Sequence, residues 1–488
     1  MRRINSSAGK YAILFFGCIT FHLLGTWSLP LIDRDEPRFA EASREMIERA
    51  DYVVPYFNNQ FRFDKPPLTY WAQVASYKIF GENDFAARFP TTIAAALVAL
   101  SLLAWGARIG DDKTGFWAAI IFTLCLQTFV HAKAAVADMW LVLFVTIAHW
   151  AEWELIFTRQ TSNTEHRTSN IEWKWWLIFY CSLALGFLAK GPIALVPLLT
   201  VASIKLYAPN LRLSQRFKFV RGLLLMLALI SLWGIPALIR THGEFFSVGI
   251  GRHVIGRSIG AMEGHGANSL GLYLFLLPFY FITIFASFFP WSVRLPSLAR
   301  RLWKSRDDID NYLLSGTAIV FIIFSLIKTK LPHYTLPAFP LLALLLARHW
   351  PEEKAKVFGR LAATTAGLWI ALALIAPPFL ASSFPGSALF EQARGDLRPE
   401  MEFGAIEYQE PSLVWYFRSR VHGFMTPITK KNAAEFMERA GPRFVILPTA
   451  SLSKTFPAPP PDWKTFSARG FNLAKGKPVD LVLVLKPQ

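Results

Sequence analysis

The sequence predicts an all-α polytopic membrane protein of about 11–13 spans, with a small α/β domain at its C-terminal end outside the membrane. Three observations carry this. The 488 residues are 53% hydrophobic and 15% aromatic, with only 17% Asp, Glu, Lys and Arg and a mean hydropathy of +0.33, less charge than a soluble chain of this length carries. Apolar runs of near-spanning length recur up to about residue 380. Beyond residue 385 they stop, and short soluble patterns take over.

In chain order the apolar runs are 11–32, 87–106, 116–130, 139–157, 175–189, 191–207, 222–239, 271–293, 312–327, 334–347 and 361–380. Several fall short of the roughly 20 residues a straight spanning helix needs. The first lacks a small-x-small exit site and leads into charged sequence, so it reads as a retained span. With MRRINSSAGK on the cytoplasmic side, the even connections 107–115, 158–174, 205–221, 294–311 and 348–360 share that side. Together these segments hold 22 Lys and Arg. Basic excess on one side is the positive-inside pattern. It accounts for most of the net charge of +17 and leaves no case for nucleic acid. Cys18, Cys125 and Cys181 lie inside spans at unrelated spacings, which argues against a disulfide framework or thiolate site.

Residues 1–385 are therefore expected to form the transmembrane domain, and 386–488 a soluble domain outside. Residues 33–86 form the first outward loop, with two amphipathic helices. Phe39, Ala42, Met46 and Ile47 give the first an apolar face, suited to lying along the interface. An extended link follows; Pro66-Pro67 opens the second helix and Gly81 ends it. A second outward loop, 240–270, is rich in Gly and His. In the tail, EFGAIEYQ, PRFVILPT and VDLVLVLK read as strands, and SLVWYFRS and KKNAAEFMERAG as helices.

LIDRDEPRFAEASREM, 31–46, places many charges just after the first crossing. Charges at a membrane boundary cost desolvation unless paired or wet. Glu41, Glu45 and Glu48 have helical i+3 and i+4 basic partners and read as a solvated collar. Asp35 and Glu36 fit that collar less well. They precede Pro37, where a helix begins, and a carboxylate held there at a cavity mouth can take a proton from a hydroxyl. Lys65, in FDKPP, sits at the N-terminus of the next helix. A helix N-terminus with a lysine beside it suits a phosphate. Lys190 in LAKGP and Lys330 in KTKLPHY lie at outward span ends, against the positive-inside bias. With Arg257 they could neutralise one lipid phosphate. Asp138 lies at another outward turn.

At these residues the chain resembles a known family. DRDEPRFAE, then RFDKPPLTYW and FGENDFAARFP, resembles the ArnT-like members of the protein-mannosyltransferase-related GT-C glycosyltransferases. The resemblance runs on through VADMWL, LAKGPIAL, the His-rich loop and KLPHYTLPAFP, covering about 11–345. It implies a GT-C helical bundle that moves a sugar from a polyprenyl-phosphate donor to a lipid or glycan acceptor at the outer membrane face. By resemblance Asp35 is the catalytic acid residue, Arg38 its companion, and Lys65 the phosphate contact. Asp138, His265 and Tyr334 join the site. The resemblance also implies a metal near position 64, where Asp64 replaces the usual Glu, with a histidine such as His253. A phosphate leaving group can be served by cations alone, so no cofactor is required; zinc at Asp64 and His253 stays open.

Together these features predict an inverting sugar transferase of a bacterial inner membrane, facing the periplasm. Its partners are the polyprenyl-phosphate donor, a lipid or glycan acceptor and membrane lipids. A surface-glycan ligase or polymerase shares much of this chemistry. A transporter or flippase would need mid-span charges and paired broken helices in related halves, which the sequence lacks.

Overall fold

The computed structural model describes residues 2–157, 165–256, 269–350, 355–473 and 475–488. Each apolar run is helical over most of its length. Backbone polar groups have no water to bond inside a bilayer, and a helix satisfies them internally. The chain is a multi-pass membrane protein.

Among the described residues, five helices are long and apolar enough to cross: Asp84–Ile109, Asp138–Phe157, Leu213–Arg240, Asp308–Leu326 and Ala355–Ala381. A sixth is a pair, Phe279–Ser287 and Trp291–Lys304, bent by 119° around Pro290. The remaining apolar runs are short or interrupted. Run 116–130 breaks at Cys125, whose ψ of 137° leaves the helical region. Run 191–207 is a 3₁₀–α–3₁₀ composite carrying Pro192 and Pro197. Proline removes a backbone donor and clashes with the preceding turn, so apolar length did not translate into helix length.

The chain divides into two compact units. The first comprises Met1–Leu23, Phe63–Thr69 and Pro90–Trp369. Its helices pack closely where glycines allow it: a Cβ on Gly115 would strike the Leu103 carbonyl, and one on Gly222 the Tyr180 ring. Basic side chains at helix ends are tied down. Arg108 pairs with Glu154, and Arg348 bonds Asp307 at 2.5 Å, Asp310 at 3.2 Å and the Ile109 carbonyl at 2.6 Å.

The second unit comprises Leu24–Arg62, Tyr70–Phe89 and Ile370–Gln488. Its five-stranded sheet runs in the order Met425–Pro427, Glu402–Ala405, Arg443–Pro448, Lys477–Lys486, Lys464–Asn472. The first two pairings are parallel and the last two antiparallel. Alternate residues face opposite sides. Phe444, Ile446, Leu481, Leu483 and Leu485 join Leu389, Phe390, Leu413 and Phe417 in one core. Val445, Leu447, Val482 and Val484 join Phe436, Met437 and Phe456 in another. The sheet is thus covered on both faces.

The same unit holds Asp35–Glu48 and Leu68–Phe80 as the two expected helices, from residue 70 on in the second case. The link between them contains a small hairpin, Tyr56–Phe57 with Gln60–Phe61. Gly81, at φ 76°, ends the second helix as expected. The first helix is packed against protein over most of its surface. Every residue from Glu36 to Met46 except Arg38 is buried, including Glu41, Ser43, Arg44 and Glu45.

Candidate active site

Lys65 and Lys190 line one cavity of about 410 Å³ in the first unit. Lys65 follows Phe63 and Asp64 in the short stretch before the Leu68 helix. Lys190 is the last residue of helix Glu165–Lys190, where the helix dipole favours a cation. Gly191, at φ 82°, caps that helix, donating to Phe187 O at 2.7 Å; left-handed backbone suits glycine. The wall is otherwise mostly apolar: Phe63, Phe187, Leu227, Ile230, Trp233, Ile235, Leu238, Phe245 and Phe246, with Asp64 and Ser231 as further polar groups. Such a wall accepts a ligand with an anionic head and a hydrocarbon tail. A larger, mostly apolar cavity of about 1030 Å³, lined by Lys10, Phe21, Phe116 and Ala362 among others, holds none of the candidate residues.

A polar cluster adjoins Lys190. Asp138 opens helix Asp138–Phe157, where the dipole favours a carboxylate, and its Oδ1 lies 2.5 Å from Lys190 Nζ. His333 Nε2 is 3.8 Å from the same oxygen. Burial is the main cause holding the His333 imidazole down, to about 3, with the Asp138 charge opposing it. His131 meets His333 ring to ring at 4.8 Å. Lys190 Nζ lies 5.8 Å from the Tyr334 ring centroid, which places Tyr334 beside this cluster. Sequence reasoning missed His131, although it stands seven positions before Asp138, in the stretch HAKAAVADMW.

Lys330 is placed elsewhere. Its Nζ donates to Phe324 O, Ser325 O and Ile327 O at 2.9, 2.6 and 2.5 Å. It caps the C-terminal end of helix Asp308–Leu326. An ammonium has three donors, and all three are engaged here. The expected phosphate contact gives way to a helix cap. Arg257 and His265 lie outside the described residues, as does the side chain of His253. The expected Asp64–His253 pairing therefore falls outside what the structure describes.

The acidic stretch belongs to the second unit. Glu36 accepts from Arg88 Nε at 3.0 Å and Nη2 at 2.8 Å, and from Ile32 N at 2.8 Å. Arg88 also donates to Thr26 O, Leu29 O and Pro30 O at 2.9, 2.5 and 2.9 Å. This bidentate pair anchors the chain just ahead of the helix, a framework role for Glu36 rather than that of a free base. Glu41 pairs with Arg44 at 2.8 Å and with Arg418, and Arg418 reaches Glu48 at 2.8 Å. The expected solvated collar is a buried network instead, because Arg418 arrives from far along the chain. Burial, the largest cause, pushes the Glu41 carboxyl up to about 7 against the pull of Arg44 and Arg418. Asp33 accepts from Ser412 N and Oγ at 2.8 and 2.5 Å. Asp35 is exposed at the first turn of its helix and Arg38 is half-buried.

With this geometry in view, known proteins locate the chain. A family model described as dolichyl-phosphate-mannose-protein mannosyltransferase matches residues 64–235. An undecaprenyl phosphate-alpha-4-amino-4-deoxy-L-arabinose arabinosyl transferase of Aeromonas salmonicida is 30% identical over 427 residues, covering 83% of this chain and 73% of the relative. The chain belongs to the ArnT-like family of GT-C glycosyltransferases. An ArnT-like relative of the same name from Erwinia tasmaniensis is 30% identical over 346 residues, 70% of this chain. The chain spans only 59% of that relative's length. The crystal structure of ArnT from Cupriavidus metallidurans bound to undecaprenyl phosphate superposes with a TM-score of 0.79 at 16% identity, covering 98% of both chains. That match shows the ArnT-like GT-C fold, and the α/β end of the chain is part of it.

Proposed function

We propose that this chain transfers a sugar from a polyprenyl-phosphate donor to an acceptor at the periplasmic face of a bacterial inner membrane. One observation carries the reading: a mostly apolar cavity whose wall holds both Lys65 and Lys190. The names of the Aeromonas and Erwinia relatives support an undecaprenyl-phosphate donor and an aminopentose as the sugar. The positive-inside pattern supports the orientation.

In this reading the prenyl tail lies along Leu227, Ile230 and Trp233, and the phosphate meets Lys65 and Lys190. The acceptor oxygen attacks the anomeric carbon and gives its proton to a carboxylate acting as general base, the role that the family resemblance assigns to Asp35. The anomeric C–O bond breaks, and its electron pair stays on the phosphate oxygen. Lys65 and Lys190 stabilise the charge that grows there; fixed cations aimed at developing charge are among the largest rate effects available. Asp138 holds Lys190 in position until the phosphate competes for it. Tyr334 packs beside that lysine. Glu36 keeps the chain before Asp35 in place through Arg88.

The test is Asp35→Asn in detergent, assayed by transfer from a polyprenyl-phosphate aminopentose to a lipid A acceptor. A general base is worth about 10²–10⁴-fold, so kcat falls by at least ~100-fold while donor affinity holds. Activity within tenfold of wild type removes Asp35 from that role.

A further inference from the structure

We infer that His131, Asp138 and His333 form a divalent-metal site that Lys190 keeps closed. One ligand atom from each lies within 4.8 Å of the others. The three come from separate elements: His131 ends helix Leu126–His131, Asp138 opens helix Asp138–Phe157, and His333 lies in the 3₁₀ turn Pro332–Ala338. Two neighbouring helix ends and a turn from far along the chain thus bring their donor atoms together.

Two imidazole nitrogens and a carboxylate oxygen suit a borderline ion such as Zn(II) or Co(II), with bonds of about 2.0–2.2 Å and an open fourth position. Bonds of that length put tetrahedral ligand atoms roughly 3.4 Å apart, so side-chain rotations closing the widest gap by about 1.4 Å complete the site. Gln127 meets the Nδ1 edge of His131, its side-chain amide nitrogen at 2.9 Å and its backbone carbonyl oxygen at 3.2 Å. Partners beyond the ligands orient metal-binding histidines in this way.

Lys190 is the competitor. Its ammonium lies 2.5 Å from Asp138 Oδ1, and a dication bound to that oxygen would repel it. Metal and ammonium therefore exclude each other at Asp138. A donor phosphate that draws Lys190 into the cavity opens the site, and the ion then adds charge beside the head group. The ligands differ from the Asp64 and His253 pair expected from the sequence. The inference shares Asp138 and Lys190 with the proposed transferase, but binding of the ion is read without donor or turnover. Its failure therefore leaves the transferase reading standing.

The experiment uses full-length protein in detergent, with any tag removed and metal stripped by chelation, titrated with Co(II). The expected result is one Co(II) per chain with the intense visible absorption of a low-symmetry four-coordinate site. His131→Gln and His333→Gln each weaken binding at least about tenfold. Lys190→Met tightens it about tenfold or more, which a merely structural role for the lysine would not do, and this arm stands even if a histidine variant fails to fold. Asp64→Asn leaves the spectrum unchanged. Co(II) binding that is absent, that ignores both histidine substitutions, or that is lost in Asp64→Asn overturns the inference.

Discussion

Arg88 offers the sharpest structural prediction. Its guanidinium reaches both carboxylate oxygens of Glu36 and three backbone carbonyls, those of Thr26, Leu29 and Pro30. Both side chains are almost fully buried, at 2% and 5% exposure. Arg88→Met leaves a buried carboxylate without its counter-charge, and removing one partner of such a pair costs about 3–5 kcal/mol. The abandoned carbonyls add about 1 kcal/mol each at most, and the two contributions overlap. Glu36→Gln is milder, since the amide still accepts from Arg88. The double variant, Glu36→Gln with Arg88→Met, removes the buried charge as well as its partner. Denaturant unfolding in detergent would follow all four proteins. The double variant should recover at least ~1.5 kcal/mol relative to the sum of the singles, a coupling typical of residues in contact. Additivity within about 0.5 kcal/mol would refute the claim that Arg88 exists to hold Glu36.

Three further outcomes follow from the same geometry. Lys330→Met should lose about 1–3 kcal/mol of stability, because three carbonyls at a helix end lose their donor; donor affinity should be unchanged, and a large rise in Kd would restore Lys330 to the phosphate site. Glu41 keeps its proton up to about pH 7 in the folded protein but releases it near its ordinary value of 4.5 when unfolded, so the folded state binds more protons between these values. Its contribution to stability is therefore fully present below pH 4.5 and is lost as pH rises through 7; Glu41→Gln should flatten that part of the stability–pH curve, and an unchanged slope would count against it. Gly222→Ala drives a methyl into the Tyr180 ring and should cost about 1–3 kcal/mol as overpacking, measured by thermal unfolding.

Local patterns were readable from the sequence because their causes are local. Pro66-Pro67 and Gly81 bound their helix through their own backbone preferences. Arg443–Pro448 reads as a strand because both its faces are buried. The edge strand Lys464–Asn472 was not read, since its mostly exposed side chains carry little apolar alternation. Pairings between distant residues were hidden for a different reason. Glu36 meets Arg88 across 52 positions and Glu41 meets Arg418 across 377, and no local spacing announces such contacts. Glu41 and Glu45 therefore looked solvated when both are buried. Lys330 misled in the opposite way: its partners are carbonyls three to six residues back, which the side-chain pattern does not display. For the candidate site, Lys65, Lys190, Asp138 and Tyr334 were all singled out from sequence, whereas His131 was passed over as one more histidine.

The measurement that bears most directly on the account is equilibrium binding of a polyprenyl phosphate, compared with the uncharged polyprenol, to wild-type protein and to Lys65→Met. Hydrogen bonds to charged groups are worth about 1.5–3 kcal/mol, so the substitution should weaken phosphate binding by roughly 10- to 100-fold and leave the polyprenol unaffected. Equal affinity of the two proteins for the phosphate would contradict the assignment of this cavity to the donor's head group.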